Sequence, residues 1–205
     1  NVESHNGSLL WEPWEVLKQD GTPYKVFTPF YRRGCLAAAP PRCPLPVPSV
    51  LNIVESTDEY WKAGNISNLA LLPKKCWKND LGATWHVGEA AANERLNAFL
   101  DMGLKGYKDG RNFPSKQNVS RLSAYLHWGE ISPFEVWNQA NNKMLGENKK
   151  VFLSEIGWRE FSYHLLYNFP NLQEENLKNN FNSFPWEEDY ILLKKWEKGL
   201  TGYPI

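Results

Sequence analysis

From residue 88 onward the apolar positions fall into a helical rhythm. Ala92, Leu96, Phe99, Leu100 and Leu104 recur at spacings of three and four, which predicts one buried helix face, ended where Gly103 and Gly106 break the pattern. The next stretch, YKDGRNFPSKQNVSRLSAYLHWGEISP, reads as a loop punctuated by Asp109-Gly110 and Pro114, leading into a helix from about Ser120. Ser132 is placed to cap a further helix, with Pro133 at its first position and Glu135 three residues on to close a capping box. That helix is expected to run to about Leu145, with Gly146 stopping it. A last long helix follows in VFLSEIGWREFSYHLLYNFP, Val151 to Pro170. Glu155, Trp158, Arg159 and Ser162 share one stripe of it, whereas most of the wheel is Phe, Leu, Ile and Tyr. Charges on so apolar a helix need a partner: an ion pair, a cofactor or a ligand.

The first 86 residues carry a different pattern. Nine of the 14 prolines precede Val87, and five lie in APPRCPLPVP between Ala39 and Pro48, which forbids a long helix there and favours extended segments draped over something else. Residues 1–86 therefore read as a connector with a short helix or strand near its start, too long for a simple loop. No internal repeat and no strong strand alternation appear in the second half, so the expected fold class is mainly α.

Charge changes this picture only locally. Lys plus Arg and Asp plus Glu are equal at 23 each, so the whole chain does not advertise nucleic acid. Between Gly103 and Arg121, however, Lys105, Lys108, Arg111, Lys116 and Arg121 face Asp109 alone, a patch able to meet phosphates. Ten tryptophans exceed what a core of this size uses and point to stacking or electron transfer. Cys35, Cys43 and Cys76 have no metal-ligand spacing with the four histidines and read as free thiols, and no metal site is expected. Without an 18-residue apolar run or a signal-peptide pattern, a cytoplasmic location and no membrane partner are expected. With no initial Met and the ending TGYPI, a piece of a longer protein is expected.

The chemistry-bearing stretches lack the common hydrolase, P-loop, zincin and dinucleotide signatures. NVSRLSAYLHWGEISP instead places Ser120, Arg121 and Ser123 at a helix start, where hydroxyls, a guanidinium and free backbone N–H groups suit a pyrophosphate.

Four stretches, YKVFTPFYRR, RNFPSKQNVSRLSAYLHWGEISP, FLSEIGWREFSYHLLYNFPN and FPWEEDYILLKKWEKGLTGYPI, in this order, closely resemble the DNA photolyase and cryptochrome family, and most of all its class I cyclobutane pyrimidine dimer photolyases. The resemblance spans nearly the whole chain and is weakest between Ala37 and Val87. It implies an α/β antenna domain, a long connector and an all-helical FAD-binding domain. Residues 1–86 would be the end of the antenna domain and the connector, and residues 87–205 the truncated N-terminal part of the helical domain. It also implies site residues. Tyr107, Ser120, Arg121, Leu122 and Ser123 would hold the flavin's phosphates and ribityl chain, with Val119 standing where a threonine is usual, and Arg159 would pack on the flavin. Glu155 and Trp158 would receive a flipped lesion, beside Arg159 and Ser162, and Arg111 would contact the DNA backbone. Trp186 would be the outermost member of an electron-relaying tryptophan chain. Gln173 and Glu174 replace the pair that marks a folate antenna site, so a second chromophore, folate or deazaflavin, stays open. The implied function is light-driven repair of pyrimidine dimers by a monomeric enzyme acting on UV-damaged DNA, the fragment alone being inactive. A cryptochrome, signalling by blue light on the same scaffold, and a plain helical scaffold are the alternatives.

Overall fold

A computed structural model describes residues 2–3, 5–51, 66–71 and 84–203. Among these residues there are helices, turns and extended segments but no strand, as the mainly α expectation requires. None of the described helices is long and apolar enough to cross a membrane. Two compact units divide the chain, Asn1–His164 and Leu165–Ile205.

The first unit begins with an arm whose side chains point inward: Leu9, Leu10, Trp11, Val16 and Tyr24 are all buried. Helix α1 follows, starting as Phe27–Pro29, loosening into a π-helical turn over Phe30–Gly34 and tightening into a 3-10 turn at Cys35–Ala37. A short helix was anticipated within residues 1–86, and this is one. Gly34 is required in it, because a Cβ there would lie 2.5 Å from Val16 Cγ1. The proline-rich segment is draped over a helix as expected: Trp11 Nε1 donates to Ala39 O at 3.0 Å, and the Arg42 guanidinium lies 4.2 Å from the centre of the Phe134 ring. Residues 52–65 and 72–83, with Cys76, lie outside the described residues. Cys35 and Cys43 are free, the first buried and the second exposed.

Helix α2 spans Glu89–Ala98 and runs on as a π-helical turn through Phe99–Gly103. Its anticipated stripe is the centre of the core: Ala92, Leu96 and Leu104 are fully buried, with Phe99 and Leu100 close behind. Each Leu or Phe of the stripe contributes on the order of 1.5–3 kcal/mol of burial. A short helix, α3 (Tyr107–Gly110), stands where a loop was expected. Gly106 starts it with φ +86°, and Asn118 reaches back to the carbonyls of Gly103 and Lys105 at 2.8 and 3.0 Å, closing the following loop onto it.

Helix α4 covers Ser123–Trp128, three residues later than predicted, because Arg121 takes a left-handed φ of +55° that ends any helix trying to start at Ser120. Helix α5, Pro133–Asn141, is capped by Ser132, whose side chain accepts from Phe134 N at 3.2 Å. Glu135 turns instead to Gln139, one turn on. The helix stops four residues short of Leu145, and Gly146 does not end it. With φ +46°, that glycine opens the next helix, α6, Gly146–Asn168.

The second unit holds 3-10 turns at Pro170–Gln173 and Asn179–Ser183 and a helix, α7, Tyr190–Glu197, capped by Asp189 through Leu192 N at 2.9 Å. Tyr190, Ile191, Leu192, Leu193 and Trp196 of α7 are all exposed.

Candidate functional site

One face of α6 is written at helical spacing by Phe152, Glu155, Ile156, Arg159 and Tyr163, and these five form one wall of a cavity of about 370 Å³. Tyr107 from α3 and Leu122, Ser123, Leu126 and His127 from the α4 region form the other walls, with Ser120 at the turn before α4. Tyr107 and Phe152 make an aromatic floor backed by Phe99, the three ring centres 4.7–5.6 Å apart and mostly edge to face. Burial pushes the Tyr107 phenol up from its ordinary range; the Arg111 charge opposes this and the Glu155 charge adds to it.

Charges gather at one side. Arg111 and Glu155 form a partly exposed ion pair, and the Arg111 guanidinium also lies 5.5 Å from the centre of the Tyr107 ring. The hydrogen bond to Glu155 is the main reason the Arg111 pKa rises still further. Arg159 Nη1 donates to Ser8 O at 2.7 Å and pairs with Glu160 at 3.1 Å, and its guanidinium sits 4.9 Å from the centre of the Tyr163 ring.

Of the residues singled out in the sequence, Tyr107, Ser120, Leu122, Ser123, Glu155 and Arg159 line this one cavity. Arg121 points elsewhere, lining a smaller cavity of about 240 Å³ with Arg95 and Tyr125, and Val119 is partly exposed outside both. Trp158 does not line the cavity. It turns toward α1 and stacks on Phe27, ring centres 3.8 Å apart and planes 12° from parallel, with 46% of its surface still exposed. Ser162 is exposed and donates to Trp158 O at 3.0 Å within the helix. Trp186, in the second unit, donates its indole N–H to Phe181 O at 3.2 Å and is 66% exposed. The stripe of four read from the sequence thus divides: Glu155 and Arg159 face the cavity, and Trp158 stands beside it.

Three features went unread in the sequence. His127 lines the cavity one turn after Ser123, a spacing that the helix start already offered. Glu160 and His164, one turn apart on α6, are the two buried polar side chains among the described residues. Glu160 Oε2 accepts from the backbone N–H groups of Leu10 and Trp11 at 2.8 and 3.3 Å, and His164 Nε2 accepts from Tyr24 N at 3.1 Å. Burial pushes Glu160 up to about 7 against the pull of Arg159 and the two amides, and burial also lowers His164. Two polar residues a turn apart on an apolar helix side were the available signal.

An aromatic floor, two serines and a guanidinium one helical turn from a carboxylate can hold a flat ring with a polar chain. A family model described as the FAD binding domain of DNA photolyase matches residues 152–205, and one described as DNA photolyase matches residues 1–49. The chain belongs to the DNA photolyase and cryptochrome family. Among individual relatives, it is 40% identical to a deoxyribodipyrimidine photo-lyase of Agrobacterium fabrum, over all of this chain and 43% of that protein. It is 31% identical to cryptochrome-2 of Arabidopsis thaliana, over all of this chain and 35% of that protein. The solved structure of a bacterial class III photolyase from Agrobacterium tumefaciens superposes with a TM-score of 0.75 at 39% identity, covering 96% of this chain and 41% of that one. The chain therefore spans about two-fifths of the length of these photolyases.

Proposed function

We propose that this chain is the central portion of a light-dependent DNA photolyase, and that its cavity between α3, α4 and α6 holds part of an FAD. The observation that carries the reading is the convergence of Tyr107, Ser120, Ser123, Glu155 and Arg159 on that one cavity. Its volume falls within the roughly 300–1,000 Å³ of small-molecule sites, and its aromatic floor and hydroxyls suit a flavin ring and a ribityl or phosphate oxygen. Reduced and excited by light, FAD supplies the electron that splits the cyclobutane ring of a pyrimidine dimer.

The chain's own residues do the rest. Ser120, Ser123, Tyr107 and Arg159 hold and orient the cofactor, and the buried aromatic floor excludes water from it. Trp158, half exposed and backed by Phe27, offers a rigid face on which a flipped base stacks, with Glu155 one turn away to hydrogen-bond it. Arg111 meets a DNA phosphate at the basic loop, and Trp186 would be the outermost member of a tryptophan chain that supplies electrons to the cofactor. A second, antenna chromophore of folate or deazaflavin type belongs to the same reading. The 39% identity to a class III photolyase favours that class over the class I resemblance drawn from the sequence.

Cryptochrome signalling is the second reading, favoured by the full-length match of this chain to cryptochrome-2. The full-length protein, loaded with FAD and reduced, is expected to restore a thymine-dimer oligonucleotide under blue light. FAD binding and photoreduction without dimer repair would move the assignment to signalling; no FAD binding would remove both.

A further inference from the structure

Arg159 and Glu160 are sequence neighbours on α6, about 100° apart around the helix, so their side chains do not ordinarily meet. They meet here because a third element comes between them. Arg159 folds back to donate to Ser8 O at 2.7 Å and to Glu160 Oε1 at 3.1 Å, while Glu160 Oε2 takes the amides of Leu10 and Trp11. Glu160 is 3% exposed and touches no part of the cavity, yet the Arg159 it holds is one of the cavity's walls. The same carboxylate therefore grips the arm with one oxygen and the cavity's guanidinium with the other.

We propose that Glu160 is a positioning residue that sets Arg159 in the cavity wall and couples seating of the 8–11 arm to occupancy of the cavity. The inference rests on the reading of that cavity as an FAD site. A ligand drawing Arg159 into its bound geometry fixes Glu160, and Glu160 fixes the arm's two amides; a loosened arm frees Arg159 in turn. Such linkage is reciprocal by thermodynamic necessity.

The test uses the full-length protein and FAD itself. Glu160→Gln keeps the shape and an oxygen for the two amides but turns an N–H group toward Arg159. Losing one hydrogen bond to a charged group corresponds to about a tenfold loss of FAD affinity, and Arg159→Ala is expected to lose at least as much. The double substitution is expected to bind no more weakly than Arg159→Ala alone, because Glu160 acts only through that side chain. Glu160→Asp, which keeps the charge and shortens its reach, is expected to behave likewise and serves should the glutamine variant not fold. FAD is expected to slow hydrogen exchange at the Leu10 and Trp11 amides of the parent and not of the Glu160→Gln protein. Unchanged FAD affinity in both Glu160 variants, losses that simply add, or exchange indifferent to FAD in a parent that binds it would overturn the coupling and leave the FAD reading standing. A parent that binds no FAD would remove that reading and the coupling with it.

Discussion

A methyl group added at Gly157 tests how the aromatic column beside α6 is held. A Cβ there would lie 2.5 Å from both Cδ2 and Cε2 of Tyr31 and 3.4 Å from its Cγ. Ordinary contact lies at roughly 3.5–4.0 Å, so the ring must retreat by about 1 Å. Its stacking neighbours resist that shift. Tyr31 is 8% exposed and stacks on Phe27 at 5.5 Å, which stacks on Trp158 at 3.8 Å. Overpacking of this kind costs about 1–3 kcal/mol, and a rigid buried ring belongs at the upper end. Alanine repays up to about 1 kcal/mol of helix propensity. The net expectation for Gly157→Ala is a loss of about 1–2 kcal/mol, or roughly 2–8 °C in Tm if a domain of 150–250 residues unfolds as a unit. Thermal and urea denaturation of the full-length protein measure it, and pairing the change with Tyr31→Ala should recover most of the Gly157→Ala loss relative to Tyr31→Ala alone. An increase in stability in the single variant, or no recovery in the pair, would refute the argument that Tyr31 is wedged against the α6 backbone.

Three further outcomes are expected. Glu160, held at about 7 when folded against an ordinary 4.5, keeps its proton longer in the folded state. Its contribution is therefore largest below pH 4.5 and fades as pH rises through 7, by ~3 kcal/mol. His164, lowered by burial, acts oppositely and costs stability as pH falls below 6.5. Glu160→Gln should abolish the decline between pH 4.5 and 7 in urea titrations, and parallel curves for variant and parent would refute it. Trp158→Ala should weaken binding to dimer-containing DNA by about ten- to a hundredfold, from stacking worth roughly 1–3 kcal/mol per base, and leave undamaged DNA nearly unaffected in filter binding. Arg111→Ala should weaken both DNAs alike and lower the slope of log K against log salt by about 1, while releasing Glu155 from its ion pair.

The sequence was most legible where a short-range rule decides structure. The stripe from Ala92 to Leu104 packs as its spacing demands, and the Ser132 cap with Pro133 starts α5 where it should. Reading was least successful where a distant group decides. Tyr107–Gly110 is a helix because Asn118 fastens the loop behind it, a contact that Asp109-Gly110 and Pro114 do not announce. Ser120 stays outside α4 because Arg121 adopts a left-handed backbone that local propensity disfavours. Of the stripe singled out on one helix face, Glu155 and Arg159 line the cavity, but the division of that face was not legible. Which side Trp158 takes depends on Phe27, 131 positions earlier in the chain and invisible to any helical wheel.

The grip of α6 on the N-terminal arm also orders events in time. Leu10 and Glu160 are separated by 150 positions, and Tyr24 and His164 by 140. At a synthesis rate of about 5–20 residues per second, the arm waits roughly 8–30 s after emerging before its anchor exists. During that interval Leu9, Leu10 and Trp11, buried once the fold is complete, have no α6 to settle against. Closing so long a loop is slow and is rewarded only when α6 has formed. On the ribosome, the arm thus appears well before the helix that secures it, and a nascent chain stalled before Glu160 would present the arm to chaperones.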